Sequence, residues 1–390
     1  MIPPATAPLV SGSSGTGYPV FTDTATIIGP GIGPTSGSET IDGPGAAASL
    51  HLSGFNVFDG IFNTGFTQID DPAAAGLTLQ TGTLTASQEL IVGARGLDTL
   101  SLASGALVQT TGTAVQLEIG QNAGSDGLVT IGAGATLDLA GPAQNNVYAA
   151  YVGHQGNGTL DVLGTMDTGG NSLAIGDGTG NSGSVLVSQG GTPTAGTDDK
   201  HGNVGVAIAV GRLFSNATIT ITDPGSSVTA NGNMYVGRGG TGTLIVENHG
   251  VLTAGATEGG TGGTLNIGLG NTSYVGGIGG SGSATITNHG TVDDLGVMTI
   301  GGQGVNGAVS VDDGGLLTVQ TDIHVGLGVI NGGTYYTGSA RSTWARAARS
   351  RCRARPAPAP TRCRSAFPPM GAARWMCRAR ARCSISAITA

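Results

Sequence analysis

Charge and aromatic rings are scarce in this chain. Of its 390 residues, 10% are charged and 4% aromatic. An ordinary helical or α/β enzyme carries far more of both, so that class is excluded. No apolar run approaches the roughly eighteen residues a membrane-spanning helix needs. The 73 glycines follow no three-residue period, which excludes collagen. The N-terminal MIPPATAPLVSGSSG has no basic n-region and only a stub of apolar sequence, so no signal peptide is read there. Cysteine and tryptophan are absent before residue 339, and the only bases there are Arg95, Lys200, Arg212 and Arg238. Those four bases against all 24 acidic residues leave this part at −20. Residues 339–390 hold twelve arginines, all four cysteines, both tryptophans and no acid. Two chemistries are joined near Ser339.

What the chain does have is a repeated grammar. An apolar residue followed by glycine recurs at Val92-Gly93, Ile119-Gly120, Val152-Gly153, Ile175-Gly176, Val210-Gly211, Val236-Gly237, Ile267-Gly268, Ile300-Gly301 and Val325-Gly326. The spacings run from 23 to 35 residues, which indicates a solenoid or an array. Between these anchors come glycine-rich turns and short alternating strands such as GTLDV (158–162), ATITI (217–221) and GTLIV (242–246). Period-two alternation buries one face of a strand and wets the other. Such recurrent Val, Ile and Leu pairs are foreign to a disordered glycine/serine linker. Strands this short are marginal alone. Stacked coil on coil they pair above and below and join their apolar residues into one inner column. Corners then need positive φ, which Gly and Asn adopt cheaply.

The predicted fold is therefore all-β, a single-stranded parallel β-helix. Residues 1–35 read as a loose N-terminal segment. Residues 36–80, with Phe55, Phe58, Phe62 and Phe66, read as a cap or atypical first coils. Residues 81–338 are the repeats, and segment 193–203 reads as a loop projecting from a corner.

The stretches YVGHQGNGTLDVLG, LAIGDGTGNSGSVLV and DPGSSVTANGNMYVGRGGTGTLIVENHGVLTA resemble repeats of type V secretion autotransporter passengers and of PEP-CTERM-type bacterial surface proteins. The resemblance covers roughly residues 80–338. It implies a right-handed helix displayed outside a bacterial cell as an adhesin or rod. The signal peptide, C-terminal translocator barrel and sorting helix expected of such proteins are not seen here.

The tail admits three readings. A basic disordered arm would bind nucleic acid or an anionic surface. The four cysteines, Cys352, Cys363, Cys377 and Cys383, could form a metal site or disulfides, but no CxxC and no tail histidine supports zinc. The composition favours a frameshift. Glycine codons GGC read out of frame become GCG for Ala or CGG for Arg, and the codons of Cys383–Ala390 can be chosen so that the shifted frame spells another Ile-Gly coil. The tail is then out of frame and binds no nucleic acid.

Chemistry is sparse. A polysaccharide lyase or hydrolase would need carboxylates converging on one face with Arg, Lys or His. The pairs Asp70-Asp71, Asp198-Asp199, Asp293-Asp294 and Asp312-Asp313 sit beside Gly, Pro or turn positions. Neighbours on a strand face opposite ways, so all four pairs read as solvated turns. The histidines, His51, His154, His201, His249, His289 and His324, are single; His249 and His289 share a repeat position, which suggests a turn or a stacked ladder. Calcium-type repeats are not matched by GGTGGTLNIG (259–268) or DGTGN (177–181). The GxGxxG of Gly302, Gly304 and Gly307 precedes a strand rather than a helix, so it is no nucleotide fingerprint. With four bases before residue 339, an anionic polysaccharide is expected to meet no complementary charge. The expectation is a non-enzymatic, monomeric surface rod with no catalytic, metal or cofactor residues. It touches host or matrix glycans or proteins through exposed polar faces, and this chain inserts in no membrane. The alternative is a polysaccharide-active enzyme.

Overall fold

The computed structural model describes residues 24–28, 39–42, 45–72, 74–112, 116–139, 148–196, 206–255, 263–269, 280–302, 305–327, 329–331, 334–336, 339–344, 348–352 and 383–387. All its regular elements are strands, and they stack as a parallel β-solenoid. Each coil contributes three strands, so the solenoid has three faces. In one coil these are Asn216–Ile221, Ser227–Ala230 and Asn233–Arg238. The next coil lays Thr241–Val246, Val251–Ala254 and Thr264–Leu269 on them in parallel register, pairing Ile219 with Leu244, Val228 with Leu252 and Val236 with Ile267. Eight such coils run from Leu97 to Leu327. At ~4.8 Å per coil they span roughly 38 Å.

The alternation seen in the sequence sets which side chains enter the core. Ile219, Ile221, Val228, Ala230, Met234 and Val236 point inward from one coil and are essentially inaccessible to solvent. Equivalent residues of every coil join in one continuous column, with Leu244, Val246, Leu252, Leu265 and Ile267 directly above. Burying each large aliphatic side chain contributes about 1.5–3 kcal/mol, which a lone four-residue strand never gathers.

The predicted anchors all fall at one corner. Each anchor residue ends the inward run of the third face, and each of the nine following glycines has positive φ, from +65° at Gly301 to +79° at Gly93 and Gly237. Space forbids a side chain there as firmly as backbone geometry does. A Cβ on Gly120 would stand 2.0 Å from the Asn157 carbonyl oxygen of the next coil. The second residue of the following first-face strand is equally confined: a Cβ on Gly158 would lie 2.1 Å from the Gly153 nitrogen.

At the corner between the first and second faces the chain uses four-residue turns. In Ser188–Gly191, Glu247–Gly250, Thr287–Gly290 and Asp312–Gly315 the last N–H donates to the first carbonyl at 2.8–2.9 Å. Both central residues have positive φ in each, the geometry of a type I′ turn.

Ahead of these coils, Gly45–Ile69 and Ala74–Val92 are long bent strands paired in parallel from Gly54–Ala75 to Ile69–Val92. Ala74–Val92 already supplies all three faces, pairing in turn with Leu97–Leu102, Ala106–Thr110 and Leu117–Ile119. Of the segment 193–203, Thr192–Ala195 is a second-face strand, and 197–205 lies outside the described residues. Beyond the coils, Ser339–Trp344 pairs in parallel with Asn306–Val311, and Cys383–Ala387 pairs antiparallel with both Leu316–Val319 and Ala348–Cys352. Most of the expected loose N-terminal segment and tail lies outside the described residues.

Candidate functional site

The first two faces present flat rows of small polar groups. On the first, Thr159, Ser184, Thr218, Thr243 and Ser283 stand one above another through successive coils. On the second, Thr136, Thr165 and Thr192 do the same, with the Thr165 and Thr192 hydroxyls 3.4 Å apart. At the corner between them the His249 and His289 rings lie 5.0 Å apart and the Asn288 amide donates to Asn248. This is the ladder their shared repeat position suggested.

The third face differs. Its outward row, midway along the anchor strands, reads Glu118, Tyr151, Ala174, Ala209, Tyr235, Asn266, Thr299 and His324. A second row starts one residue past the anchor glycine: His154, Asp177, Arg212 and Arg238 in consecutive coils. Repetition of the coil makes neighbours of residues that are 23 to 35 positions apart in sequence.

Two clusters result. In the first, the Nδ1 atom of His154 is 3.3 Å from Oε1 of Glu118, a carboxylate whose side chain is only 7% exposed. The Tyr151 ring stacks on the imidazole with centroids 4.4 Å apart. The Asn181 amide donates to the carbonyls of Gly153 and His154, pinning this corner. Contact with Glu118 raises the His154 pKa above its ordinary value, against the opposing effect of burial. Glu89 lies beside Glu118; burial, then repulsion from Glu118, pushes its pKa up to about 7. A buried carboxylate on Nδ1 fixes an imidazole's orientation and leaves Nε2 for proton transfer.

In the second cluster, Tyr148 covers Ala174 and Ala209 and, with Tyr151 and Val206, forms a small apolar patch outside the main core. The Arg212 guanidinium lies 4.3 Å from the Tyr148 ring centroid and donates to Oδ2 of Asp177 at 2.7 Å. One coil further, Arg238 lies 4.5 Å from the ring centroid of Tyr235.

The aspartate pairs fare unevenly. Asp312 and Asp313 are exposed turn residues, as expected. Asp198 and Asp199 lie outside the described residues. Asp293 and Asp294 correct the expectation: they end a second-face strand, on opposite sides, and Asp294 is fully buried where other coils carry Ala254 or Val319. Burial pushes its pKa up to about 7. Asp70 is buried too and accepts from Arg95 Nε at 2.6 Å. Among the histidines, His154 is paired rather than single, His324 is exposed, and His201 lies outside the described residues. Asp177 of the DGTGN segment is engaged by Arg212, and Gly302 is followed by the strand Asn306–Val311. Among the described residues no three His, Cys, Asp or Glu side chains are grouped to hold a metal.

Sequence reasoning missed His154, Arg212 and Arg238 as a group. The signal was present: reading the residue after each anchor pair down the chain lines them up in successive coils. Searches against protein-family models and against curated protein sequences find no match.

Proposed function

We propose that this chain is the rod of an autotransporter-like surface protein, acting outside the cell as a non-enzymatic adhesive or structural module. The observation that supports this reading is the run of stacked hydroxyls on two faces, unbroken on the first from Thr159 to Ser283 across five coils and on the second from Thr136 to Thr192 across three. Such faces offer repeated hydrogen-bond donors and acceptors to glycans or partner proteins. A monomer suffices, since each chain presents the whole ladder. Glycan arrays and cell-binding assays with the intact chain test the reading; it predicts retention on glycans or cells without cleavage of either, and it fails if neither is bound.

One observation favours a second reading, a polysaccharide-active enzyme: Glu89, Glu118 and His154 converge beside Tyr151 on a single face. Glu118 faces the imidazole and raises the His154 pKa, and burial pushes that of Glu89 up to about 7, close to the pH at which a general acid–base group works best. A polysaccharide-cleavage screen of the wild-type chain beside E118Q and H154A separates the two. Turnover lost in both variants supports the enzyme; no turnover by the wild type removes it.

A further inference from the structure

Arg212 and Arg238 hold the same position in consecutive coils, and Arg212 also bridges to the backbone at Gly239. Each guanidinium is laid on a tyrosine ring. A guanidinium held over a ring gains cation–π attraction, and its N–H donors form the fork that matches a carboxylate. Asp177 engages Arg212, and among the described residues Arg238 has no carboxylate within ion-pair distance. One positive charge is therefore half-buried with no ion-pair partner among the described residues, on a body that otherwise carries a large excess of acid.

We infer that the Arg212–Arg238 strip of the third face is a binding site for a carboxylate-bearing glycan, a polyuronate. A uronate carboxylate docks on the Arg238 fork, where charge-assisted bonds are strongest. Neighbouring sugar hydroxyls meet Tyr235 in the adjacent row. Repulsion from the acidic body is screened beyond about 8 Å at physiological ionic strength, so contact at the strip decides the outcome. On this inference an anionic polysaccharide does meet complementary charge, because the coil gathers two of the few bases into one place. The inference rests on the adhesive reading and supplies its ligand class.

Arginine footprinting with phenylglyoxal on the intact chain, resolved by peptide mass spectrometry, reads the strip separately from the arginine-rich tail. An oligogalacturonate should slow modification of Arg238 several-fold and leave Arg95 unchanged, while a maltooligosaccharide protects neither. Y235A, which removes the platform, should abolish the protection, and R238Q should lose the chain's retention on immobilised polygalacturonate. Equal protection by the neutral sugar, or parallel slowing of Arg95, overturns the site and leaves the adhesive reading standing. If Arg238 is unprotected while the chain still binds glycans on an array, the strip is refuted alone. Silence in both assays refutes the strip together with the reading beneath it.

Discussion

Two glycine positions per coil carry most of the geometric load at the residue scale. Gly120 combines a φ of +69° with a neighbouring-coil carbonyl where a Cβ would stand. Left-handed backbone costs an L-residue about 1–2 kcal/mol, and overpacking costs about 1–3 kcal/mol more. G120A should therefore destabilise by roughly 2–5 kcal/mol, read as a lower urea midpoint. Asp294 makes a prediction of a different kind. Its carboxyl is shifted from 3.8 to about 7 by burial, while the Gly296 N–H, donating to Oδ1, opposes the shift. Between about pH 4 and 7 the folded chain then holds a proton that the unfolded chain has released, so stability falls as pH rises through that window. D294N should match the wild type near pH 4 and exceed it near pH 8 in thermal midpoint. Asp98 has the same sign, its carboxyl raised to about 6 by burial although Ala75 and Asp71 N–H groups donate to it. Neither acid was legible as buried. Alternation places Asp294 on the inward side of its strand, but an Asp beside another Asp and close to a glycine reads first as a turn.

Strands and corners were the most legible elements. GTLDV, ATITI and GTLIV became first-face strands with Leu160, Val162, Ile219, Ile221, Leu244 and Val246 inward, because period-two alternation admits only one such face. The ENHG and TNHG corners became turns whose paired left-handed residues are Asn248-His249 and Asn288-His289. Asn and His tolerate that conformation; a β-branched residue does not. H289V should lower the thermal midpoint, by a loss of roughly 1–2 kcal/mol. H289G, which also removes the ring packed against His249, should leave it near wild type. If both variants fall equally, the ring contact rather than the backbone holds this corner. The third face was less legible. Its outward row alternates with core residues only over a few positions, and its neighbours arise from coils of unequal length. Fixed-interval reading does not align His154 with Asp177 and Arg212; only counting from each anchor does.

On the scale of the whole molecule, stability is distributed along a stack in which each coil touches only the coils on either side. Leu244 is fully buried between Ile219 and Ala284. L244A should cost about 2–5 kcal/mol, and hydrogen exchange should show the loss concentrated in Thr241–Val246 and the strands paired with it. The long thin core explains why so few aromatic residues suffice. The central claim is the coil register itself. Thr99 and Ser283 lie in the same outward row six coils apart, although 184 positions separate them in sequence. Nitroxides at T99C and S283C, with the four tail cysteines changed to serine, allow that span to be measured by pulsed dipolar spectroscopy. Six steps of ~4.8 Å predict a narrow distribution centred at roughly 29 Å; a broad distribution, or a narrow one far from that distance, would contradict the stacked-coil account.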